Sequence, residues 1–425
     1  MKEEKEWVGK WAIITPQNQE IIVYGVLKYS PLYGCILKAS TDDASRETFD
    51  FIFNAKKFLT INGLENVTHR NVLLRKSTTS GASRSAGISI TLTVSEVFDN
   101  IFYDDVDDLK FDRVVVDYSA LSEWIDSDST YISYDFLEDD KHGLSITYTH
   151  PENIYFDIND KIKICFAFGY STSHEMDDSR GFYLENNSSI IIYSKAGSLE
   201  SDKLVQYSEH FRRLLSLMYY SNCYIYRQRF FRLNMQIGVE RYFKQENIGN
   251  SQKRSSSSLP LMKFSDIKNV AEEIFRKWFL FNESGDLTYV SWVASRNITP
   301  FSQEVFLEFV RGLEVFHKTK VKQMSLNSRL QAILDKLKST CNESEFNKLF
   351  PNIKDACSLI KENRNYLTHY GDGTLKPEYQ LELEELYQLT IKCKIVLITI
   401  ILEDIGIDSA KTFSYLFERH RSMLY

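Results

Sequence analysis

The hydrophobic period changes once along the chain, and this change constrains the fold more than any other feature. In several runs within residues 1–200, apolar residues fall at every second position, whereas from residue 264 onward they recur every three to four positions. The first spacing is typical of strands and the second of helices. Residues 247–260 lie between them and have the serine-rich composition of a linker. We therefore predict an α+β chain with a β-rich domain at residues 1–246, a linker at 247–261 and an all-helical domain at 262–425.

The β-rich domain is predicted from runs of β-branched and aromatic residues. These runs are residues 7–15, 20–29, 48–53, 71–75, 88–97 and 161–170. Residues 77–89 are rich in serine and glycine and have the composition of a loop. A β domain without a catalytic set of residues is more typical of a binding module than of an enzyme, so we expect this half to sense or regulate.

Two further elements are predicted before the linker. Residues 203–220 have apolar side chains at helical spacing and predict an amphipathic helix. Residues 223–233 alternate basic and aromatic side chains and predict a strand, with Arg227, Arg229 and Arg232 as the basic residues. The pattern favours a half-buried strand with a solvated basic face. The alternative is an RNA contact in which the rings stack on bases and the arginines hold phosphates.

Capping residues mark the helices of the C-terminal domain. Thr299-Pro300 predicts an N-cap followed by proline in the first turn, and Ser325 or Ser328 predicts the start of the next helix. Pro351 predicts the start of a third helix, which Gly371 ends. The remaining predicted elements are a helix at residues 379–405 and a short basic end at residues 419–421.

The end of that third helix carries the residues with the clearest chemistry, Arg364, Asn365 and His369. Arginine is a permanently charged fork that holds a phosphate through two hydrogen bonds. Histidine moves protons near neutral pH, and asparagine orients an imidazole or donates to a phosphate oxygen. Together with the 2′-hydroxyl of RNA, these groups suffice for metal-free strand cleavage. No cluster of ligand residues lies nearby in the sequence, so we predict neither a metal nor a cofactor.

The spacing of these residues predicts an assembly. Arg364 and His369 point roughly 140° apart around one helix, so a single helix does not close both on one phosphate. Two such helices packed face to face bring an arginine and a histidine onto one phosphate. This predicts a homodimer or a higher homo-oligomer. The pattern alone remains open to a plainer interpretation, a histidine at a helix end beside a solvated arginine. A second match, from Arg311 to His317, shows how easily the spacing arises.

Three segments in the C-terminal part resemble the Apea-like HEPN family. Residues 306–317 are similar to its first core helix, with Leu313-Glu314 as the characteristic pair. Residues 363–371 are similar to its Arg-polar-x3-His motif, and residues 389–407 to its closing helix. Upstream, residues 61–74 and the turn at residues 121–124 resemble the N-terminal domain of the ApeA family of phage-defence proteins. On this resemblance Arg311 and His317 belong to the first core helix and are a chance match.

The resemblance implies a HEPN endoribonuclease whose active site forms across a dimer and which acts on RNA, tRNA included, in abortive infection. Arg364 would bind the scissile phosphate, His369 would transfer the proton, and Asn365 would orient one of them. Lys361 and Tyr366 would contact the RNA, and a phage-derived activator would act through the N-terminal domain. The alternative is a HEPN bundle that binds nucleotide, RNA or a protein partner without cutting. Two interpretations of Glu314 remain open, a residue that supports the active site through a neighbour and an exposed or paired helix glutamate. Its position in the middle of the helix favours the second.

Charge and hydropathy limit the partners and the cellular location that we expect. The net charge of −7 and the pI near 5.7 argue against a broad nucleic-acid surface, so any RNA site is expected to be local. The charged residues at the N-terminus do not resemble a signal peptide, and the longest apolar run, residues 395–402, is far short of a membrane span. The six cysteines form no Cys-x2-Cys pair. We therefore expect reduced thiols and a cytoplasmic protein without membrane contact.

Overall fold

A computed structural model shows a β-rich N-terminal region followed by an all-helical C-terminal region, as predicted. Its contacts divide the chain into two compact units, Met1–Glu209 with Tyr224–Ser258, and His210–Cys223 with Leu259–Tyr425. The predicted linker lies outside the described residues except for its last two positions, so the domain boundary stays a prediction. The structure describes residues 4–14, 20–54, 60–65, 71–101, 109–125, 130–136, 142–174, 182–233, 237–245, 260–369 and 377–424.

The first unit contains a closed barrel of antiparallel strands. The order β6-β3-β2-β1-β4-β5 closes because β6 also pairs with β5. Alternate residues of β1, among them Trp7, Trp11 and Ile13, are fully or almost fully buried inside. The strands are β1 (Lys5–Ile14), β2 (Glu20–Ser30), β3 (Gly34–Thr41), β4 (Thr60–Glu65), β5 (Asn71–Arg84) and β6 (Ile88–Asp99).

The sheet continues beyond the barrel from the far end of β6. Its last residues pair with β16, in the register Glu240↔Asp99, and the order runs on as β16-β15-β8-β13-β12-β11. Two-stranded sheets join β9 to β10 and β7 to β14. The strands are β7 (Lys110–Phe111), β8 (Arg113–Tyr118), β9 (Thr130–Phe136), β10 (His142–Tyr148), β11 (Ile154–Asp157), β12 (Ile162–His174), β13 (Phe182–Ser194), β14 (Leu199–Glu200), β15 (Ile225–Phe231) and β16 (Val239–Phe243).

One predicted strand of the barrel unit is wrong. Residues 48–53 lie in a helix, α1 (Arg46–Asn54), rather than in a strand. Its start is capped, because Ser45 Oγ accepts a hydrogen bond from Thr48 N at 3.2 Å and Asp43 Oδ2 accepts one from Thr48 Oγ1 at 2.6 Å. Ile52 then packs into the barrel core. The cap and the packing outweigh the strand propensity of the aromatic residues.

The predicted loop at residues 77–89 is also wrong over most of its length. Strand β5 runs through it to Arg84 and pairs with β6 from Ser77↔Val94 to Arg84↔Ile88, with a register shift between Thr79 and Gly81. Only the turn before Ile88 remains outside the strands. The ladder supplies main-chain hydrogen bonds that composition does not reveal, and the bulge absorbs the extra residue.

The second unit is helical, apart from a short 3₁₀ turn at Pro377–Tyr379, and includes the C-terminal part of α3 (Ser201–Tyr219), which the sequence predicts correctly. Its core includes Phe275, Trp278 and Leu397, all fully buried. The helices are α4 (Phe264–Ile267), α5 (Ala271–Phe281), α6 (Gly285–Ser295), α7 (Gln303–Lys320), α8 (Leu326–Thr340), α9 (Glu343–Leu349), α10 (Ile353–Thr368), α11 (Leu383–Asp404) and α12 (Ser409–Leu424). The first unit has one more short helix, α2 (Leu121–Ile125), at the predicted turn. Of the helices in the described ranges, none is both long and apolar enough to span a membrane.

Helix α7 lies in close contact with both α6 and α11. A Cβ added at Gly312 would lie 2.9 Å from Leu397 Cδ2 and 3.5 Å from Val293 Cγ1, so glycine permits this approach. The predicted cap of α7 is displaced: the N-cap is Ser302, not Thr299. The predicted cap of α8 is confirmed, because Ser325 Oγ accepts from Ser328 N. The basic end at residues 419–421 belongs to a full helix, α12, rather than to a short tail.

Lys394 of α11 is buried among other cations in the helical unit. Its ammonium donates to the carbonyl of Arg296 at 2.9 Å and lies 4.8 Å from the centre of the Tyr220 ring. Burial lowers the pKa of Lys394 to about 7, with further contributions from Arg419 and Arg296. Burial, Lys394 and Arg419 likewise lower the pKa of His420, whose ring bonds to Tyr220, to about 4.

We expect the free energy of unfolding to rise with pH above 7 because of Lys394. The unfolded chain keeps this proton up to the ordinary pKa of 10.5, whereas the folded chain releases it near 7, so the unfolded state binds more protons in this window. The slope contributed is at most about 1.4 kcal/mol per pH unit. Urea unfolding of Lys394→Met across this window should show a shallower rise than wild type, and the exposed Lys338→Met should not. Parallel profiles for wild type and Lys394→Met would contradict the assignment.

Candidate active site

The candidate catalytic residues lie at the C-terminal end of α10. The helix begins at the N-cap Asn352, whose side chain accepts from the main-chain N–H groups of Lys354 and Asp355. It packs against α7 and α8 through a face that includes Cys357 and Ile360. Asn352 replaces the predicted start at Pro351, and Gly371, the predicted end, lies outside the described residues. Packing along the earlier part of α10 therefore holds the whole helix, including its last turn, on the bundle.

Asn363 ties the same turn to a second segment. It is 4% exposed, and its amide donates to the carbonyls of Leu359 and Tyr379, both at 2.9 Å. A buried amide with both protons bonded is a structural anchor. Asn363 therefore holds the end of α10 against the 3₁₀ turn Pro377–Tyr379 that precedes α11. The sequence around Asn363 does not indicate this role, because the partner Tyr379 is 16 positions away.

Arg364 is held from two sides. Its Nη1 donates to Asn365 Oδ1 at 3.1 Å, and its Nη2 lies 3.6 Å from Glu314 Oε2 of α7. The Arg364 side chain keeps 33% of its surface exposed, so solvent reaches the guanidinium. Asn365 therefore contacts the arginine, which is one of the two residues it was predicted to orient. Glu314 is thus a paired glutamate, and because its partner is Arg364, it also supports the candidate active site.

His369 is the C-cap residue of α10. Its main-chain N–H donates to the carbonyl of Asn365 at 3.0 Å, while its side chain is exposed. The main chain of His369 is thus fixed by the helix, and its imidazole is open to a ligand.

The two predicted RNA-contacting residues lie on the same helix as Arg364. Tyr366 is 42% exposed, and Lys361 forms an ion pair with Glu362 at 2.9 Å. The surface of α10 therefore offers an aromatic ring, while the charge of Lys361 is shared with a neighbour. Within the residues that the structure covers, no three His, Cys, Asp or Glu side chains are grouped as metal ligands would be.

The second Arg-to-His match is engaged in other contacts. His317 Nδ1 lies 3.2 Å from Arg329 Nη1 of α8, and burial, Arg329 and Lys320 lower the pKa of His317. Arg311 stacks over the ring of Tyr289 at 5.2 Å. Both side chains therefore have partners elsewhere in the helical unit, in keeping with a chance match.

The basic strand of the first unit also has partners of its own. Arg227 Nε donates to Asp117 Oδ2 at 2.8 Å, and Arg232 Nε donates to the carbonyl of Lys110 at 3.0 Å. Residues along β15 alternate between buried and half-buried. These contacts favour the half-buried strand over the RNA contact.

Two family models match the chain. Residues 6–278 match the model described as ApeA N-terminal domain 1, and residues 307–411 match the one described as Apea-like HEPN. No curated protein and no solved structure matches it. The second match contains Glu314, Arg364 and His369, so the resemblance that the three sequence segments carry is confirmed.

Proposed function

The chain belongs to the ApeA family of HEPN-based defence proteins, and we propose that it is a metal-independent endoribonuclease that cleaves RNA during phage infection. The observation that carries the proposal is the end of α10 inside the HEPN match. There an exposed His369 follows a half-exposed Arg364 whose guanidinium is oriented by Glu314 and Asn365. The first unit would sense a phage-derived activator and restrain cleavage until then.

Each residue has a defined part in the proposed reaction. Cleavage of RNA through its own 2′-hydroxyl needs a proton removed from that hydroxyl, a proton given to the leaving 5′-oxygen, and charge stabilised on the phosphate. His369 transfers protons, since imidazole does so near neutral pH. Arg364 binds the phosphate and stabilises the charge that builds up on it. Asn365 and Glu314 act on Arg364 as positioning residues.

The active unit in this proposal is a homodimer with two α10 ends facing one cleft. Arg364 and His369 are five residues apart, so their side chains leave the helix roughly 140° apart. A symmetric pair of helices brings the arginine of one chain toward the histidine of the other. Lys361 and Arg364 from both chains would then concentrate positive charge in an otherwise acidic protein.

We expect RNA cleavage by the purified chain to persist in excess chelator and to leave a 2′,3′-cyclic phosphate. The expectation follows from a mechanism in which only side chains and the substrate hydroxyl react. RNA with a 2′-deoxy substitution at the cut site should resist. The measurement is gel analysis of end-labelled RNA, with product ends identified by mass spectrometry. Activity that disappears in chelator and returns with magnesium or zinc would refute the mechanism, and binding without any cleavage would favour the non-catalytic alternative.

A further inference from the structure

A strip of aromatic and arginine side chains crosses the helical unit away from the motif. Tyr289 and Trp292 lie three residues apart on α6, Arg296 is the C-cap residue of that helix, and Arg311 joins them from α7. The ring centres of Tyr289 and Trp292 are 6.0 Å apart. The guanidinium carbon of Arg296 lies 5.0 Å from the centre of the Trp292 ring, and that of Arg311 lies 5.2 Å from the Tyr289 ring. These four residues are called the strip below.

The strip is open to solvent and carries a free positive charge. Trp292 keeps 36% of its surface exposed, although tryptophan is usually well covered in a bundle of this size. Arg296 is paired with Glu308. Arg311 is exposed and has no carboxylate within ion-pair distance among the residues that the structure describes. Its only counterpart there is the face of Tyr289, which leaves its outward N–H groups available.

The strip continues the candidate active site. Helix α7 packs against both α6 and α10. Arg311 and Glu314 are three residues apart on α7 and are therefore neighbours on its surface. Glu314 in turn contacts Arg364. Since packed helices lie about 8–10 Å apart, the path from Arg364 to Trp292 across three helices covers on the order of 20 Å.

We propose that the strip binds the unpaired nucleotides that flank the cut site, with bases stacked on Trp292 and phosphates held by Arg311. This inference rests on the proposed ribonuclease function. Exposed rings interleaved with arginines suit single-stranded RNA, because every unpaired base offers a flat face and every linkage a phosphate. A duplex hides its bases and would gain only the phosphate contacts. Tyr289, Trp292 and Arg296 lie between the two family matches, which end at residue 278 and begin at residue 307, and Arg311 lies inside the second.

The test is RNA binding by the full chain in a His369→Ala background, which holds RNA uncut. Trp292→Leu should weaken binding of a labelled single-stranded oligonucleotide about tenfold, and Trp292→Phe should restore most of it. Arg311→Gln should lower the slope of log K against log salt by about 0.7, as the loss of one phosphate contact predicts for single strands. Trp292→Leu should not weaken binding of the matching duplex to the same extent, because a duplex offers no unpaired base to stack. Fluorescence anisotropy measures all three quantities.

Two matched substitutions in the same unit serve as controls, Tyr415→Leu for an exposed ring and Arg276→Gln for an exposed arginine. Both should bind like the parent. If Trp292→Leu lowers the melting temperature, Trp292→Phe and Arg311→Gln decide the question. Wild-type affinity and salt slope in the strip variants, or an equal loss of single-stranded and duplex binding in Trp292→Leu, would overturn the strip even if the protein cuts RNA. Loss of binding in these variants of a protein that never cuts RNA would refute the ribonuclease and keep the strip.

Discussion

His369→Ala and Arg364→Ala should each abolish RNA cleavage while leaving the fold intact. General acid–base catalysis contributes about 10² to 10⁴-fold, and one group that stabilises transition-state charge about 10² to 10³-fold. The fold should survive because the main-chain bond from His369 to Asn365 does not need the imidazole. The ion pair between Arg364 and Glu314 is partly exposed and contributes at most about 1 kcal/mol. Cleavage rates and thermal melting of the purified variants measure the two effects. A variant that cuts within a few-fold of wild type would end the assignment.

His317→Ala provides the matched control for this experiment. His317 follows an arginine at a similar spacing on a helix of the same unit, and it is half-buried where His369 is exposed. Its contact is with Arg329, whose guanidinium keeps hydrogen bonds to the carbonyls of Val321 and Lys322 when the imidazole is gone. Cleavage by His317→Ala should therefore match wild type. A loss as large as that of His369→Ala would make the Arg-to-His spacing uninformative.

The features that were predictable from sequence are those fixed by neighbouring residues. The cap of α8 at Ser325, the amphipathic pattern of α3 and the placement of Arg364 and His369 at one helix end depend on contacts within a few positions. Strands such as β1 and β2 were predictable because one face is buried in the barrel, which imposes alternation.

The features that sequence did not reveal depend on contacts between distant residues. The aromatic residues 48–53 favour a strand by propensity, and only the capped start and the barrel core make them a helix. Residues 77–84 are a strand only because β6 pairs with them. In the same way, Glu314 and Arg364 are 50 positions apart, and Arg311 and Tyr289 meet only because α7 packs on α6. The contact that orients Arg364, the proposed catalytic arginine, could therefore not be predicted from the motif itself.

The second large effect is expected when two inactive chains are combined. If each site takes its arginine from one chain and its histidine from the other, a mixed dimer of Arg364→Ala and His369→Ala contains one complete site. That dimer should recover about half of the wild-type rate, although both parents are inactive. Co-expression with two different affinity tags isolates the mixed dimer, and its cleavage rate is compared with each parent. If both residues of a site come from one chain, the mixed dimer has no complete site and stays inactive.

A second mixed dimer gives the opposite result and again distinguishes sites shared between two chains from sites within one chain. A mixed dimer of wild type with the double variant Arg364→Ala/His369→Ala should be inactive if sites are shared, because each site then lacks either its arginine or its histidine. If sites lie within one chain, the same dimer keeps the wild-type site and about half of the rate. In each mixed dimer the two 364 positions and the two 369 positions carry one arginine, one histidine and two alanines. The two dimers differ only in which chain carries the arginine and which the histidine. Their rates therefore depend on which chain supplies each residue and not on how many residues are present, and a monomer that cuts at full rate would exclude the shared site altogether.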